Sequence, residues 1–419
     1  MADNADSLIH KISTTSCSTE KNALLEDFQR SDCQSPALLN SAGIAFFQQG
    51  AFNDAIGCFE KATLYQPDYP TALINLGACY NEINNQPKAI SCYQKALTFN
   101  SNNISGWANL GKAYNDCHEF EMAVYCLTQA KQLIEKKKKS NNLVNVLLGL
   151  ATAYHRGGRD DRARQMLGQA IQFAPNNAYA HHSLASVLFH LHDYQSALQE
   201  FEWRLKLPTM GTHRQNLPGI FDKPTCTDGN PGDKTLLLYT EQGFGDSIQF
   251  ARFVALIRPH VKRLVLWCRP GLKELFQHSL QADEISEDRV NPPAFDVHFP
   301  LLSIPRFYDP KLETLKNFRP YLSAPGKLKL DIEQNVNLNI GLVWGADKSG
   351  YDYVNKSVAL KHLAPLFNIT GTHWYSLQVG EERKEIEALG LSVQIEDVGD
   401  RLVNFGCTAD AISQLDLII

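Results

Sequence analysis

The sequence lacks the features that mark several large classes of protein. It contains no apolar stretch of about 18 residues and its amino terminus is acidic and polar, so we expect neither a membrane span nor a signal peptide. Its ten cysteines form no Cys-x-x-Cys pair, which argues against the usual zinc-binding spacings. A net charge of −5 does not suit a nucleic-acid partner, and the one basic run, at residues 136–139, is typical of a solvated loop. We therefore expect a cytoplasmic protein.

What the sequence has instead is a repeat with a period of 34 residues. Five units align when they are numbered from residues 36, 70, 104, 144 and 178. Alanine occupies position 20 of every unit: Ala55, Ala89, Ala123, Ala163 and Ala197. Position 8 is small (Gly43, Gly77, Gly111, Ala151 and Ala185), whereas position 24 is large (Phe59, Tyr93, Leu127, Leu167 and Phe201). Small residues that face large ones in a fixed register are typical of a stacked helical core.

A 34-residue period with two helices per unit is typical of tetratricopeptide repeats. We predict an α superhelix, a tetratricopeptide solenoid, over residues 36–205, preceded by a helical or disordered lead at residues 1–35. Position 23 carries three cysteines, which we expect to be unpaired because neighbouring packed helices lie about 8–10 Å apart: Cys58, Cys92 and Cys126. Four histidines of the fifth unit diverge along its helix or flank its turn, so we predict no metal site there: His181, His182, His190 and His192.

Position 6 of the repeats indicates what the solenoid binds. It carries Asn75 and Asn109, and Lys112 follows one turn after Asn109. These residues resemble the asparagine ladder of the repeats in O-GlcNAc transferases, where side-chain amides hold the backbone of an extended peptide. An amide can both donate to and accept from a peptide unit, whatever the peptide's sequence. The resemblance implies a protein or peptide partner on the concave face, and the alternative is that these residues are merely solvated.

The second half of the chain has a different rhythm. Proline and glycine punctuate residues 206–233, which we interpret as a linker, and apolar runs then alternate with helical patterns. This alternation predicts an α/β region with two Rossmann-like halves, at residues 234–325 and 338–419. The predicted elements include helices at residues 246–257 and 360–367 and a strand at residues 391–395.

The segment Glu241–Phe253 carries the most specific resemblance in this region. Together with residues 293–305, 320–322 and 341–344, it resembles bacterial tetratricopeptide proteins with a heptosyltransferase-like glycosyltransferase domain. The resemblance implies a GT-B fold, in which a nucleotide sugar lies between the two halves and an acceptor hydroxyl attacks its anomeric carbon. Because the chain has no Asp-x-Asp pair, we expect inverting transfer without a metal or other cofactor, the nucleotide sugar being the donor substrate.

The resemblance also suggests individual site residues. Asp246 is the candidate general base, and the turn with Gly243 and Gly245 would let substrate approach the backbone closely. The alternative is that Asp246 is an N-cap, with Gln249 as its capping-box partner. Lys356 and Ser357 match a donor-diphosphate contact before the predicted helix at 360–367; the alternative is a solvated loop lysine beside a serine cap.

The resemblance further implies residues that this sequence does not contain. The related domains continue beyond the strand equivalent to Asp416–Ile419 with Asp-Thr or Asp-Ser-Gly and His-Leu steps that contact the donor. We therefore expect an incomplete second half, with an exposed apolar edge unless a partner covers it. Three interpretations stay open: a glycosyltransferase whose repeats present the acceptor, a non-catalytic adaptor with a degenerate transferase domain, and another enzyme that uses the same double frame.

Overall fold

The chain forms two compact units, Met1–Arg204 and Leu205–Ile419. The structure, a computed structural model, describes residues 11, 33–137, 142–208, 220–288, 290–316, 319–334, 336–346 and 356–419. The predicted lead at residues 1–35 lies almost wholly outside the described residues, as do two of the four lysines of the basic run at 136–139. In the part that is described, no helix is both long enough and apolar enough to cross a bilayer.

The first unit is a helical solenoid built from helix pairs, as the repeat predicts. Its described helices are α1 (Pro36–Gln48), α2 (Phe52–Tyr65), α3 (Pro70–Glu82), α4 (Gln86–Phe99), α5 (Ile104–Asp116), α6 (Phe120–Lys136), α7 (Leu143–Arg156), α8 (Asp160–Phe173), α9 (Ala178–His190) and α10 (Tyr194–Phe201). The first helices of successive repeats contact one another more extensively than the second helices do. The odd-numbered helices therefore form the inner, concave layer.

The small and large positions of the repeat face each other inside every pair. A Cβ atom added to Gly77 would lie 2.6 Å from the ring of Tyr93, and one added to Gly43 would lie 2.6 Å from the ring of Phe59. All five position-20 alanines are fully buried. The predicted register is confirmed for these pairs, because only a small residue at position 8 lets the two helices of a pair approach this closely.

Each turn between the two helices of a repeat contains one residue in the left-handed region. These residues occupy position 15 of their repeats, with φ between 58° and 76°: Gly50, Asn84, His118, Gly158 and His192. Glycine and asparagine adopt this conformation at low cost, and histidine is also enriched there. The left-handed conformation at position 15 was not predicted from the sequence. It explains why His192 lies in the turn of the fifth repeat.

The second unit contains two parallel sheets with the same strand order. The first sheet has the order β3-β2-β1-β4 and the second has the order β7-β6-β5-β8. The strands are β1 (Thr235–Tyr239), β2 (Arg263–Trp267), β3 (Glu284–Ser286), β4 (Val297–Pro300), β5 (Leu338–Leu342), β6 (Thr372–Ser376), β7 (Ile395–Asp397) and β8 (Leu417–Ile418). The central strands of the two sheets, β1, β2, β5 and β6, are almost wholly buried. This is typical of parallel strands that are covered on both faces.

The helices of the second unit are short. They are α11 (Phe244–Ala251), α12 (Val254–Ile257), α13 (Lys273–Ser279), α14 (Ile304–Tyr308), α15 (Lys384–Ala388) and α16 (Phe405–Ile412). Where one helix was predicted at residues 246–257, the chain forms two, and the first begins at Phe244. Further single 3-10 turns occur, for example at Glu381–Arg383.

Two predictions for this unit are wrong. The segment 360–367 is not an α-helix but two 3-10 turns, Leu360–His362 and Ala364–Asn368, because Pro365 cannot donate the hydrogen bond that would continue a helix. The strand predicted at residues 391–395 is instead mainly a turn, in which the N–H groups of Gln394 and Ile395 both donate to the carbonyl of Leu391. The strand begins at Ile395.

Candidate functional site

A polar cavity lies on the concave layer of the solenoid, between α5 of the third repeat and α7 of the fourth. Its volume is about 540 Å³. Asn109, Lys112 and Asn115 line it from α5, and Asn145 and Gly149 line it from α7. The spacing of Asn109 and Lys112 places them on one face of α5, so the helix itself aims both side chains at the same space.

The cavity is open because the fourth repeat has no side chain at position 6. Gly149 occupies that position, and a Cβ atom there would already lie 3.2 Å from Leu127. The carbonyl of Gly149 accepts a hydrogen bond of 3.0 Å from Nδ2 of Asn115, which ties α5 to α7 at the floor of the cavity. A larger residue at 149 would both crowd Leu127 and fill the space beside Asn109.

Two amide groups of the cavity are not engaged by the part of the chain that the structure describes. Asn109 and Asn145 make no side-chain hydrogen bond to any residue that the structure describes. Asn115 is buried, with 5% of its surface exposed, and its Oδ1 has no hydrogen-bond partner among the described residues. A buried polar atom without a partner costs free energy, so this oxygen is a local weakness of the packing between α5 and α7.

The cavity carries one positive and one negative side chain, four residues apart on α5. Lys112 is exposed, and Asp116 lies one turn further on. Desolvation raises the pKa of Asp116, while the charges of Lys112, Arg156 and His118 act in the opposite direction. The cavity therefore has no strong electrostatic potential of one sign, and most of its polar groups are neutral amides.

The predicted ladder is only partly available for binding. Asn75 donates a 3.0 Å hydrogen bond from Nδ2 to Oδ1 of Asn40, a buried residue of the first repeat, so its amide is already engaged inside the solenoid. Asn109 and Lys112, in contrast, share the cavity. Asn115 and Asn145 were missed from the sequence because their relevance depends on how two repeats dock. The sequence indicates them only indirectly: Asn115 lies on the same helix as Asn109, and Asn145 lies on the same helix as Gly149, the residue at position 6 of the fourth repeat.

In the second unit, Asp246 is the third residue of α11, and the helix begins after Gly243. The backbone N–H of Gly243 donates a 3.1 Å hydrogen bond to Oδ2 of Asp246. The alternative in which Asp246 is the N-cap is therefore wrong in its position, because the helix starts two residues earlier than the sequence predicted. Asp246 does contribute to capping, but from the third helical position, as acidic residues commonly do.

The glycines beside Asp246 are not required by packing or by backbone conformation. A Cβ atom on Gly245 would meet nothing within 4 Å, and one on Gly243 would meet only Oδ2 of Asp246, at 3.3 Å. Gly243 has ordinary extended backbone, with φ −64° and ψ 175°. Both glycines are exposed, so the turn leaves room beside the backbone for another molecule.

Lys356 and Ser357 lie in a loop of the second sheet's half. The hydroxyl of Ser357 accepts a 3.0 Å hydrogen bond from the backbone N–H of Ala346, and Lys356 is exposed. The expected helix N-terminus after them is absent, and the carboxylate of Glu385 already accepts the hydrogen bond of the Leu360 N–H, at 2.9 Å. That amide is therefore not available to a phosphate, and no helix amides follow Lys356 and Ser357 to bind one.

The amino-terminal end of α11 packs against residues of the second sheet's half. The rings of Phe244 and Phe405 have centroids 4.8 Å apart, and within the first half the guanidinium of Arg269 lies over the Phe244 ring at 4.8 Å. Glu274 links the halves further, because it accepts a 2.7 Å hydrogen bond from Asn404 and pairs with Lys327 at 2.6 Å. The turn that carries Asp246 thus borders the junction of the two halves.

Comparison with known proteins identifies the repeats. Family models described as tetratricopeptide repeat match residues 70–103 and 103–176, so the chain contains tetratricopeptide repeats, a fold suited to protein interaction. No curated protein matches the chain significantly.

Several solved structures resemble part of the chain. A tetratricopeptide repeat protein from Parabacteroides merdae is 19% identical, with a TM-score of 0.43, over 50% of this chain and 83% of that one. MamA is 22% identical, with a TM-score of 0.35, over 39% of this chain and 92% of that one. PilF of Pseudomonas aeruginosa is 19% identical, with a TM-score of 0.37, over 40% of this chain and 74% of that one.

Proposed function

We propose that the solenoid binds an extended peptide segment of a partner protein in the cavity between the third and fourth repeats. The observation that carries this proposal is the pair of amides, those of Asn109 and Asn145, that share one concave space and make no hydrogen bond to any described residue. Each peptide unit offers one donor and one acceptor, and a side-chain amide can match both.

The mixed charge of the cavity supports recognition of backbone rather than of a charged side chain. Lys112 and Asp116 lie on the same helix face and balance each other, so neither an acidic nor a basic peptide is strongly favoured. Specificity would then come from neighbouring side-chain contacts, while the amides hold the main chain.

The test is selection of binding peptides against the full chain, followed by affinity measurements with variants. Asn109→Ala combined with Asn145→Ala should weaken a selected peptide by about tenfold or more, because two hydrogen bonds of about 1 kcal/mol each are lost. Asn102→Ala is the matched control, since Asn102 is an exposed asparagine in a turn between repeats. Equal affinity in the double variant and the wild type would refute binding at this cavity.

A second proposal concerns the α/β unit, which we propose transfers a sugar from a nucleotide sugar to an acceptor. Its support is topological. In each sheet the strand order turns at the first strand, as in doubly wound folds, where ligands bind beyond the carboxyl ends of the strands at such a switch point. The turn with Gly243 and Asp246 follows β1 at that point, and it carries the resemblance to GT-B glycosyltransferases.

In this proposal Asp246 is the general base. Oδ2 accepts the hydrogen bond from Gly243, which fixes the carboxylate, while Oδ1 makes no hydrogen bond to any described residue and can accept the proton of an acceptor hydroxyl. Lys356 would balance charge on the departing diphosphate as a mobile cation rather than together with helix amides. Ser357 would order the loop through Ala346.

Amide hydrogen exchange of the full chain with a panel of nucleoside diphosphate sugars tests this proposal. We expect protection in the segments around residues 241–253 with at least one donor. Asp246→Asn should keep that protection but lose transfer, and Asp233→Asn, an exposed carboxylate before β1, serves as the control. If no donor protects the unit, the solenoid's peptide binding remains and the chain is a tetratricopeptide adaptor with a non-catalytic second unit.

A further inference from the structure

Three potential metal ligands converge where the fourth and fifth repeats meet. His155 lies in the last turn of α7, Asp160 is the first residue of α8, and His190 is the last residue of α9. One ligand atom from each residue lies within 4.8 Å of the other two. Two of the three belong to the fourth repeat and one to the fifth, so the group spans the boundary between neighbouring repeats.

Asp160 is the centre of this group. Nδ1 of His155 lies 2.5 Å from one carboxylate oxygen, and Nδ1 of His190 lies 2.7 Å from the other. Burial acts to raise the pKa of Asp160, but the hydrogen bonds from the two histidines outweigh it and the pKa lies below its usual value. Both Nδ1 atoms therefore already face the oxygens of one carboxylate, which is the arrangement that a shared cation needs.

The donor set is one that borderline divalent ions prefer. Two imidazole nitrogens and a carboxylate oxygen are common ligands of Zn²⁺, Co²⁺ and Ni²⁺, whereas Mg²⁺ and Ca²⁺ favour oxygen ligands. Zinc bonds of about 2.0–2.2 Å place the ligand atoms of a tetrahedral site roughly 3.3 Å apart. The two hydrogen-bonded pairs are shorter than this, at 2.5 and 2.7 Å, and all three ligand atoms lie within 4.8 Å of one another, so the side chains need only separate slightly to admit a cation. His190 has 68% of its side chain exposed, so it can rotate to complete the geometry.

We propose that His155, Asp160 and His190 bind a zinc-like divalent cation that clamps the fourth and fifth repeats together. The cation lies between the Nδ1 atoms and the carboxylate in place of the present hydrogen bonds, and each imidazole must present an unprotonated Nδ1 to it. Three protein ligands leave a fourth tetrahedral position, which the exposure of His190 opens to water or to a donor group of another molecule. Because stability of a solenoid depends on contacts between neighbouring repeats, a clamp at this boundary would stabilise the carboxyl-terminal end of the array.

These three ligands were not predicted from the sequence, because the prediction concerned only the four histidines of the fifth repeat. Of those four, His181 stacks on Trp203 with ring centroids 3.9 Å apart, and His192 occupies the left-handed position of its turn. Only His190 joins the group, and its partners come from the preceding repeat. A helix-terminal histidine, an aspartate that starts the next helix and a histidine one repeat later are individually unremarkable.

The experiment is titration of the metal-free full chain with Co²⁺ and Zn²⁺. Co²⁺ should give the intense visible d–d absorption of a tetrahedral site, and Zn²⁺ should displace it with a stoichiometry of one. His190→Ala should weaken Co²⁺ binding by at least the roughly 10–100-fold typical of losing a supporting residue near a metal. Asp160→Asn should have a similar effect. Zn²⁺ should also raise the Tm of the wild type but not of His190→Ala, and Mg²⁺ should raise neither.

His192→Asn is the matched control, because it removes an exposed histidine near the group and asparagine accepts the same left-handed backbone. It should bind Co²⁺ as the wild type does. His190 is mostly exposed, so its replacement should leave the helical content unchanged, which circular dichroism would check. Equal Co²⁺ affinity and equal spectra for the wild type and His190→Ala would overturn the proposal and leave the group as a hydrogen-bonded triad.

Discussion

Glycine has different roles in the two units. In the solenoid, Gly43, Gly77 and Gly111 sit where a Cβ atom would come within 2.6 Å of a side chain on the partner helix. In the α/β unit, Gly245 has open space at the Cβ position and Gly243 contacts only the carboxylate of Asp246. Packing explains the three glycines at position 8 of the solenoid, whereas the fold of the second unit does not explain Gly243 and Gly245 at the start of α11.

The difference shows which parts of a sequence are accounted for by folding alone. A residue that the packing requires needs no functional reason, however regular its spacing. A glycine that neither packs closely nor adopts positive φ is available for another purpose, such as the close approach of a ligand to the backbone. The following substitutions test this contrast, beginning with those of the largest expected effect.

Removal of a large partner ring should have the strongest effect on the solenoid. Phe59 is fully buried, and its ring lies against Gly43. Phe59→Ala should lower the free energy of unfolding by about 3–5 kcal/mol, because it removes buried apolar area and leaves a cavity that the helices cannot close. Chemical denaturation followed by far-ultraviolet circular dichroism measures the loss. Phe59→Leu, which keeps the type of residue found at Leu127 and Leu167, should cost much less.

In the second unit, we expect the largest loss of stability from replacing a buried carboxylate rather than an aromatic ring. Asp410 is 1% exposed and accepts hydrogen bonds from the backbone N–H groups of Gly326, Lys327 and Leu328. Asp410→Asn should destabilise the unit by about 2–3 kcal/mol, since hydrogen bonds to a charged acceptor are each worth about 1.5–3 kcal/mol and the amide keeps part of them. Faster amide exchange in residues 326–330 would localise the effect.

The same carboxylate predicts a dependence on pH. Burial acts to raise the pKa of Asp410, but the three backbone hydrogen bonds outweigh it, so the folded-state pKa lies below the unfolded value of about 3.9. The carboxylate therefore stabilises the fold above about pH 4, and this contribution is lost as the pH falls through the folded-state pKa. Asp410→Asn should flatten the acid limb of the stability profile. An unchanged acid limb would show that other carboxylates dominate it.

A glycine of the solenoid should reveal the packing requirement directly. Gly77→Ala should destabilise by about 1–3 kcal/mol because its Cβ atom would overlap the buried ring of Tyr93. Gly57→Ala is the matched control in α2, where an added Cβ atom meets nothing within 4 Å, and it should stabilise by about 0.5–1 kcal/mol. Opposite signs in denaturation experiments are expected. The same sign for both would contradict the packing explanation.

The fourth repeat suggests a rescue of that variant. There the equivalent pair is Ala151 with Leu167, both buried. Combining Gly77→Ala with Tyr93→Leu copies this pair into the second repeat, so the double variant should be more stable than the sum of the two single effects predicts. Simple additivity would mean that each repeat has its own helix spacing and that the pairs are not interchangeable.

The sequence predicted the solenoid better than the α/β unit for a physical reason. Five repeats sample the same packing constraint, so position 8 and position 24 stand out from local noise. In the second unit each helix and strand occurs only once, so no packing rule is repeated along the sequence. Its strand β3 has three residues and gave no signal, and Pro365 broke a helix that the apolar spacing favoured. Asn109 and Lys112 could be predicted because they share one helix, whereas Asn145 required the docking of two repeats.

The smallest structural effect is expected at Gly245, and it separates fold from function most sharply. Gly245→Ala adds a Cβ atom in open space in the first turn of α11, so stability should rise by at most about 1 kcal/mol. If a nucleotide sugar approaches the backbone here, the same substitution should weaken donor protection in hydrogen exchange by about tenfold or more, although the fold is intact. If protection by a bound donor is unchanged, Gly245 serves neither packing nor binding, and the contrast between the two groups of glycines no longer points to a ligand at this turn.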